Sequence, residues 1–267
     1  MLNLFLLCAC GGAMIGVLNG MLGVGGTFIV IPLLEIVALN MGVPPAMAHV
    51  MAVGTAPSTV LFTCIASFLA HKRLGSMRGN LLRQMAPAFF LGAAAGTFLA
   101  PHMPTTLLKL LFVTIVSIMG VHMLFPGKKD ETGGREDLRH MIPISLFFGM
   151  LASMTGLAGT LLTVTWLNRR GVPWAQAAGT GAGIGLVIAV TALTGYICSG
   201  WGLADLPEWS LGYVYLPGTL CLIVPSMFTA RVGAILINRK DMPIALFKRG
   251  VGLLNLLVAA HVVWTVL

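Results

Sequence analysis

Long apolar runs almost free of charge set the limits on this fold. Residues 46–70, 84–100, 105–125, 175–198, 211–229 and 245–267 each read this way. At about 1.5 Å of rise per residue, such runs match the hydrocarbon thickness of a bilayer. Lipid offers no partner to a backbone N–H or C=O, so continuous apolar runs of this length must be helices. Only 9% of the residues are charged and 57% are hydrophobic, against about a quarter charged in soluble domains. The chain is therefore an integral membrane protein with no room for a soluble domain. Its longest polar stretch is 126–140.

One apolar run is interrupted. Residues 2–20 and 27–39 are both apolar, and between them stands Gly23-Val-Gly-Gly-Thr27. Glycine frees the backbone and packs nothing, so a cluster of glycines breaks the helix. Such a break is tolerated at membrane depth only inside protein or beside a wet cavity. A helix restarting at Thr27 points its first amides into that space, and a helix start carries unpaired N–H groups and the positive end of the dipole. The amides of Gly25, Gly26 and Thr27 are thus candidate anion donors. A second copy, Gly156-Leu-Ala-Gly-Thr160, follows residues 141–154 and precedes the short run 161–167. Gly-Val-Pro recurs after each restart, at Pro44 and Pro173, and Gly-Thr follows at Thr55 and Thr180. The first copy has four more residues between its proline and its Gly-Thr, and His49 lies there.

The net charge of +8 is a topology signal and not a nucleic-acid footprint, because the basic residues sit in short loops. With the basic loop 71–83 in the cytoplasm, one crossing per full span also puts 126–140 inside. If each broken segment crosses an even number of times, Arg169, Arg170 and the basic segment 231–249 are inside too. The acidic loop 199–210 is then outside, and so are both termini. An odd crossing would violate the positive-inside rule repeatedly. The expected fold is all-α, with two inverted-topology repeats, each a glycine-broken hairpin of short helices plus three transmembrane helices. Residues 1–125 form the first repeat, 126–140 a cytoplasmic linker and 141–267 the second. Inverted repeats with broken helices near the midplane are the plan of secondary transporters. Small-residue stripes at Gly12, Gly16 and Gly20, at Gly92 and Gly96, and at Gly181 and Gly185 predict close helix packing.

Gly23-Val-Gly-Gly26 with Pro32, Ala52-Val-Gly-Thr55, His71-Lys-Arg-Leu-Gly75, Gly156–Thr160, Ala178-Gly-Thr180 and Leu206-Pro-Glu-Trp-Ser-Leu-Gly-Tyr-Val214 together resemble the sulfite exporter TauE/SafE family. The resemblance covers nearly the whole chain. It implies a bacterial inner-membrane permease for a small anion, sulfur-containing or carboxylated. The chain departs from the family pattern at Ala158, where a glycine is usual, at Thr165, where the first copy has its proline, and at Tyr215, where a small polar residue is expected.

The candidate substrate-binding residues are Gly23, Gly25, Gly26, Thr27, Thr55, Gly156, Gly159, Thr160 and Thr180. The two Gly-Thr hydroxyls are neutral donors that hold an anion without a buried charge. Glu35 is the candidate for proton coupling, since an intramembrane carboxylate is functional by default; the alternative is a carboxylate near the outer helix end that only reaches water. The histidines read as helix-end or interface residues. The five cysteines read as small buried hydrophobes, with no zinc spacing, so no metal and no cofactor is expected. Two classes stand: an anion permease with lipid and substrate as its partners, or a non-transporting membrane protein such as an assembly factor or intramembrane enzyme. No Gly-x-Ser-x-Gly, His-Glu-x-x-His or paired intramembrane aspartate supports the enzyme. The sequence leaves the anion, the direction and the oligomeric state open.

Overall fold

The computed structural model describes residues 2–22, 26–73, 75–125, 138–157, 159–203, 206–237 and 244–266. Gly23, Gly25, Ala158 and most of the segment 126–140 lie outside them. The described residues form ten α-helices: α1 Leu2–Leu22, α2 Thr27–Asn40, α3 Pro45–Arg73, α4 Gly79–Leu99, α5 Thr105–Leu124, α6 Leu138–Thr155, α7 Thr160–Arg169, α8 Trp174–Ser199, α9 Leu216–Ile237 and α10 Ile244–Val266. A 3-10 turn, Ala100–His102, follows α4. The strands β1 Ser210–Leu211 and β2 Val214–Tyr215 pair antiparallel just before α9. Both short helices restart at the threonine after the glycines, where the sequence predicts.

Three of the helices are long and apolar enough to span a bilayer by themselves: Pro45–Arg73, Thr105–Leu124 and Gln176–Ser199. Shorter apolar helices accompany them. Bulky apolar side chains such as Phe98, Phe228 and Trp264 face outward, as a lipid-facing surface requires. The protein is an all-α, multi-pass membrane protein.

Apolar faces gain little by meeting one another in lipid, so close backbone approach holds such helices together. The small-residue stripes do this. A Cβ on Gly12 would lie 2.6 Å from the Leu222 carbonyl oxygen, and one on Gly16 would strike Ser226 and Thr229, so α1 lies tight on α9. Gly92 and Gly96 bring α4 against Leu146, Met150 and Ser153 of α6. Gly120 of α5 and Gly252 of α10 face each other's carbonyls at 2.9 and 2.8 Å from the missing Cβ. Gly181 and Gly185 of α8 receive Thr160 of α7.

The principal pairs are α1 with α9, α4 with α6, α5 with α10, α3 with α8, α4 with α8, α2 with α3 and α7 with α8, with α3 also meeting α9. Exchanging α1–α5 for α6–α10 in order turns each of these pairs into another of them or into itself. The cysteines follow expectation only in part. Cys8, Cys64 and Cys221 are buried, but Cys10 and Cys198 are exposed on helix faces that no neighbour covers.

Candidate functional site

The two glycine breaks adjoin small cavities in the centre of the helix set. At the first, the Gly26 carbonyl accepts from Ile29 N at 3.0 Å and opens α2. At the second, the Gly159 carbonyl accepts from Thr163 N at 3.0 Å and from the Thr163 hydroxyl at 2.9 Å. Neither helix start carries a side-chain cap. One cavity of about 20 Å³, room for about one water, is lined by Thr27, Leu157, Gly159, Leu161, Met119 and Asn255 among others, so it touches both breaks. Two more of about 10 Å³ flank it. One takes in Gly26, Thr27, Thr59 and Val60, and the other Val60, Gly156 and Leu157. The three thus share walls at Thr27, Val60 and Leu157.

Asn255 of α10 is the polar group in this wall that the sequence does not single out. It is 1% exposed, and its Oδ1 has no hydrogen-bond partner among the described residues. Its amide nitrogen meets only the Met123 sulfur, at 3.8 Å. The NH2 of such an amide can donate to an anion, while its Oδ1 can only accept. A lone Asn in an apolar span carries no spacing signal, so only the packing of α10 on α5 brings it to notice.

Of the expected substrate residues, Gly26, Thr27, Gly156 and Gly159 line these cavities, and Thr160 packs against Gly181 and Gly185 at the start of α7. Gly23 and Gly25 lie outside the described residues. The Gly-Thr pairs do something else. The Thr55 hydroxyl donates to Met51 O at 2.7 Å and accepts from Tyr215 N at 3.0 Å. The Thr180 hydroxyl donates to Gln176 O at 2.8 Å and accepts from Arg78 N at 3.2 Å. A threonine has one O–H to give, so in this conformation neither has a donor left for an anion. Each fixes the residue that enters a helix of the other half: Tyr215 before α9 and Arg78 before α4. The preceding glycines make room. A Cβ on Gly54 would lie 2.9 Å from Tyr213 Cβ, and one on Gly179 would lie 2.7 Å from Ser76 O.

Glu35 does not reach water as its place in the sequence suggests. Its Oε2 lies 3.0 Å from His49 Nδ1 and its Oε1 lies 2.6 Å from Lys109 Nζ. The three residues come from α2, α3 and α5, and His49 is 1% exposed. Lys109 stands alone in the apolar run Thr105-Thr-Leu-Leu-Lys-Leu-Leu-Phe-Val113, and nothing in that run names its partner.

An apolar helical bundle with two glycine breaks at buried cavities, and a buried charge cluster where α2 ends and α3 and α5 begin, has the features of a membrane transporter. The comparisons agree and go further. The family model for the sulfite exporter TauE/SafE matches residues 8–262, and the chain belongs to that family. A relative from Haemophilus influenzae, named "Probable membrane transporter protein", is 29% identical over 98% of both chains. Another, from Methanocaldococcus jannaschii and also named as a probable membrane transporter protein, is 25% identical over 87% of this chain and 85% of its own. No solved structure matches the chain. Family and relatives alike mark a membrane transporter and not an enzyme.

Proposed function

We propose that this transporter is a secondary permease for a small sulfur-containing anion, of the sulfite, sulfonate or thiosulfate class, held between the starts of α2 and α7. The observation that carries the reading is the cavity bounded by Thr27, Gly159 and Asn255, whose amide NH2 has only the weak Met123 sulfur contact and can donate to an anion once the cavity widens from the size of one water. Amides at Gly25, Gly26 and Thr27 from one side, and at Gly159 and Thr160 from the other, face the anion. Gly23 and Gly156 are assigned the role of giving the two breaks their backbone freedom. Thr55 and Thr180 serve the site by fixing the helix entries rather than by touching the substrate. No Lys or Arg lines these three cavities. Each helix start offers about half a positive charge, which holds an anion weakly enough to release it. The family's description as a sulfite exporter supports the substrate class.

The same reading takes 1–125 and 141–267 as inverted repeats joined by a cytoplasmic linker at 126–140, in a bacterial inner membrane. The exchange of packing pairs between α1–α5 and α6–α10 supports it, as do the crossed threonine bonds. Ser76→Cys is then labelled only from the cytoplasmic side and Trp209→Cys only from outside.

Counterflow in proteoliposomes tests the function. Radiolabelled sulfite, thiosulfate and isethionate are each offered outside against the same unlabelled anion inside. At least one exchanges in the wild type, and Gly159→Val abolishes the exchange while the protein stays folded. Exchange of none of them, or undiminished exchange in Gly159→Val, contradicts the proposal.

A further inference from the structure

We infer that the Glu35–His49–Lys109 cluster is where a proton travels with the anion, and that His49 Nε2 is the atom that takes it. This rests on the permease reading above and adds the coupling ion to it.

Three features of the cluster lead there. First, the charges are arranged so that one proton more or less changes the sum from zero to one. Glu35 and Lys109 form an ion pair at 2.6 Å. Protonating Glu35 would strand the Lys109 ammonium, so the carboxylate is the poorer carrier. Neutral His49 donates its Nδ1–H to Glu35 Oε2 at 3.0 Å. Its Nε2 is then a bare lone pair, buried and without a partner among the described residues. Imidazole is the side chain that ordinarily titrates in the range of about pH 5 to 8. Its cation would stay bonded to Glu35, so the added charge has an acceptor in place.

Second, the surroundings bring no competing acid or base. Apart from the cluster itself, the elements packed against α3 carry the thiols of Cys8, Cys10, Cys198 and Cys221 and the phenols of Tyr196, Tyr213 and Tyr215, which are neutral in this range; His122 lies thirteen residues along α5 from Lys109, about 20 Å away and against Arg169, and Arg231 lies fifteen residues into α9. Glu208, in the exposed turn before β1, is solvated.

Third, the cluster belongs to one half of the chain only. From Thr27 to Pro44 the first repeat is four residues longer than the second is from Thr160 to Pro173, and it is four longer again from Pro44 to Thr55. These are two added helical turns on packed neighbours, α2 and α3, and Glu35 and His49 lie in this enlarged region. Residues 160–179 contain no Asp, Glu or His. Glu35 is eight residues along α2 from Thr27, or about 12 Å. One short helix therefore carries the anion cavity near its start and the proton site toward its end.

The proton comes from hydronium on the side to which the cluster opens. It forms an N–H bond with the Nε2 lone pair and leaves water behind. On the opposite side that bond breaks and the proton returns to water. A monoanion crossing with one proton moves no net charge, so acid outside drives it inward.

The test is uptake in proteoliposomes loaded with a pH-sensitive dye, with sulfite, thiosulfate and isethionate as the probes. In the wild type, influx of the exchanging anion acidifies the lumen, and each pH unit of outside acidity drives about tenfold accumulation of a monoanion. In His49→Gln the amide still donates to Glu35 and cannot titrate. Counterflow persists, while lumen acidification and acid-driven accumulation are lost. Acid-driven accumulation in His49→Gln overturns the inference. Wild-type net uptake of the exchanging anion without lumen acidification overturns it too and leaves the permease reading standing. Absence of counterflow for every anion removes both. If His49→Gln does not fold, isotope-labelled histidine NMR decides, on a protein in nanodiscs whose other five histidines are replaced by Gln. The His49 Nε2 signal changes with pH and shifts on adding the exchanging anion. A signal indifferent to both pH and anion overturns the inference.

Discussion

The two glycine breaks do the same job by different means. Gly159 sits at φ 61°, in the left-handed region that glycine alone enters freely, and Gly156 at φ 65°. Gly26 sits at φ −66°, which any residue can hold. It is confined by packing instead, for a Cβ there would lie 3.0 Å from Ile15 of α1. The second break is thus set by backbone conformation and the first by the close approach of its own hairpin. Beyond the breaks the difference widens. The first half has the longer α2, the longer start of α3 and the buried charge cluster, while α7 ends in an exposed Arg169 that reaches His122 of α5 at 3.1 Å. In the proposal, what the halves share is assigned to holding the anion and what only the first half has is assigned to coupling.

That contrast can be broken by substitution, and the largest effect is expected at the second break. Gly159→Val adds a branched side chain at a left-handed position, 2.5 Å from Ile188 Cδ1, and transport is lost entirely. Alanine separates the two breaks. Gly159→Ala costs about 1–3 kcal/mol of backbone strain, read as a lowered melting temperature in detergent, whereas Gly26→Ala shifts Ile15 slightly and melts near the wild type. Equal losses would mean that the breaks are alike after all.

The next effect is at Asn255. Replacing it with Leu keeps the volume and removes the amide. A hydrogen bond to a charged group contributes about 1.5–3 kcal/mol, so affinity for the exchanging anion falls about tenfold to a hundredfold with little change in melting. Unchanged affinity would take α10 out of the site.

The smallest and most symmetrical effect is at the threonines. Thr55→Val removes the hydroxyl acceptor of Tyr215 N, and Thr180→Val removes that of Arg78 N. Each costs about 1–3 kcal/mol of stability. Because neither hydroxyl faces the anion, affinity in both variants stays at the wild-type value. A large loss of affinity in one alone would break the symmetry between the halves.

Much of this was legible in the residues. Charge-free runs fix helices because lipid satisfies no backbone group. Glycine clusters mark the breaks because no other residue leaves both space and freedom. The stripes at Gly12 and Gly16 and at Gly92 and Gly96 name faces that do pack, against α9 and α6. Other parts had no one-dimensional signal. Glu35, His49 and Lys109 come together only because three helices start or end at one level, and no spacing along the chain ties position 35 to position 109. The Gly-Thr repeats were visible, but their partners, Tyr215 and Arg78, lie more than a hundred residues away. A hydroxyl that bonds a distant backbone amide looks, in sequence, the same as one that waits for a ligand.

The account turns on where the anion sits. Once counterflow has named an exchanging anion, its selenium analogue (selenite for sulfite, for instance) can be diffused into crystals and located by anomalous scattering. The account predicts one peak between Thr27 and Gly159, within reach of the Asn255 amide. A peak elsewhere, with that cavity empty, would contradict it.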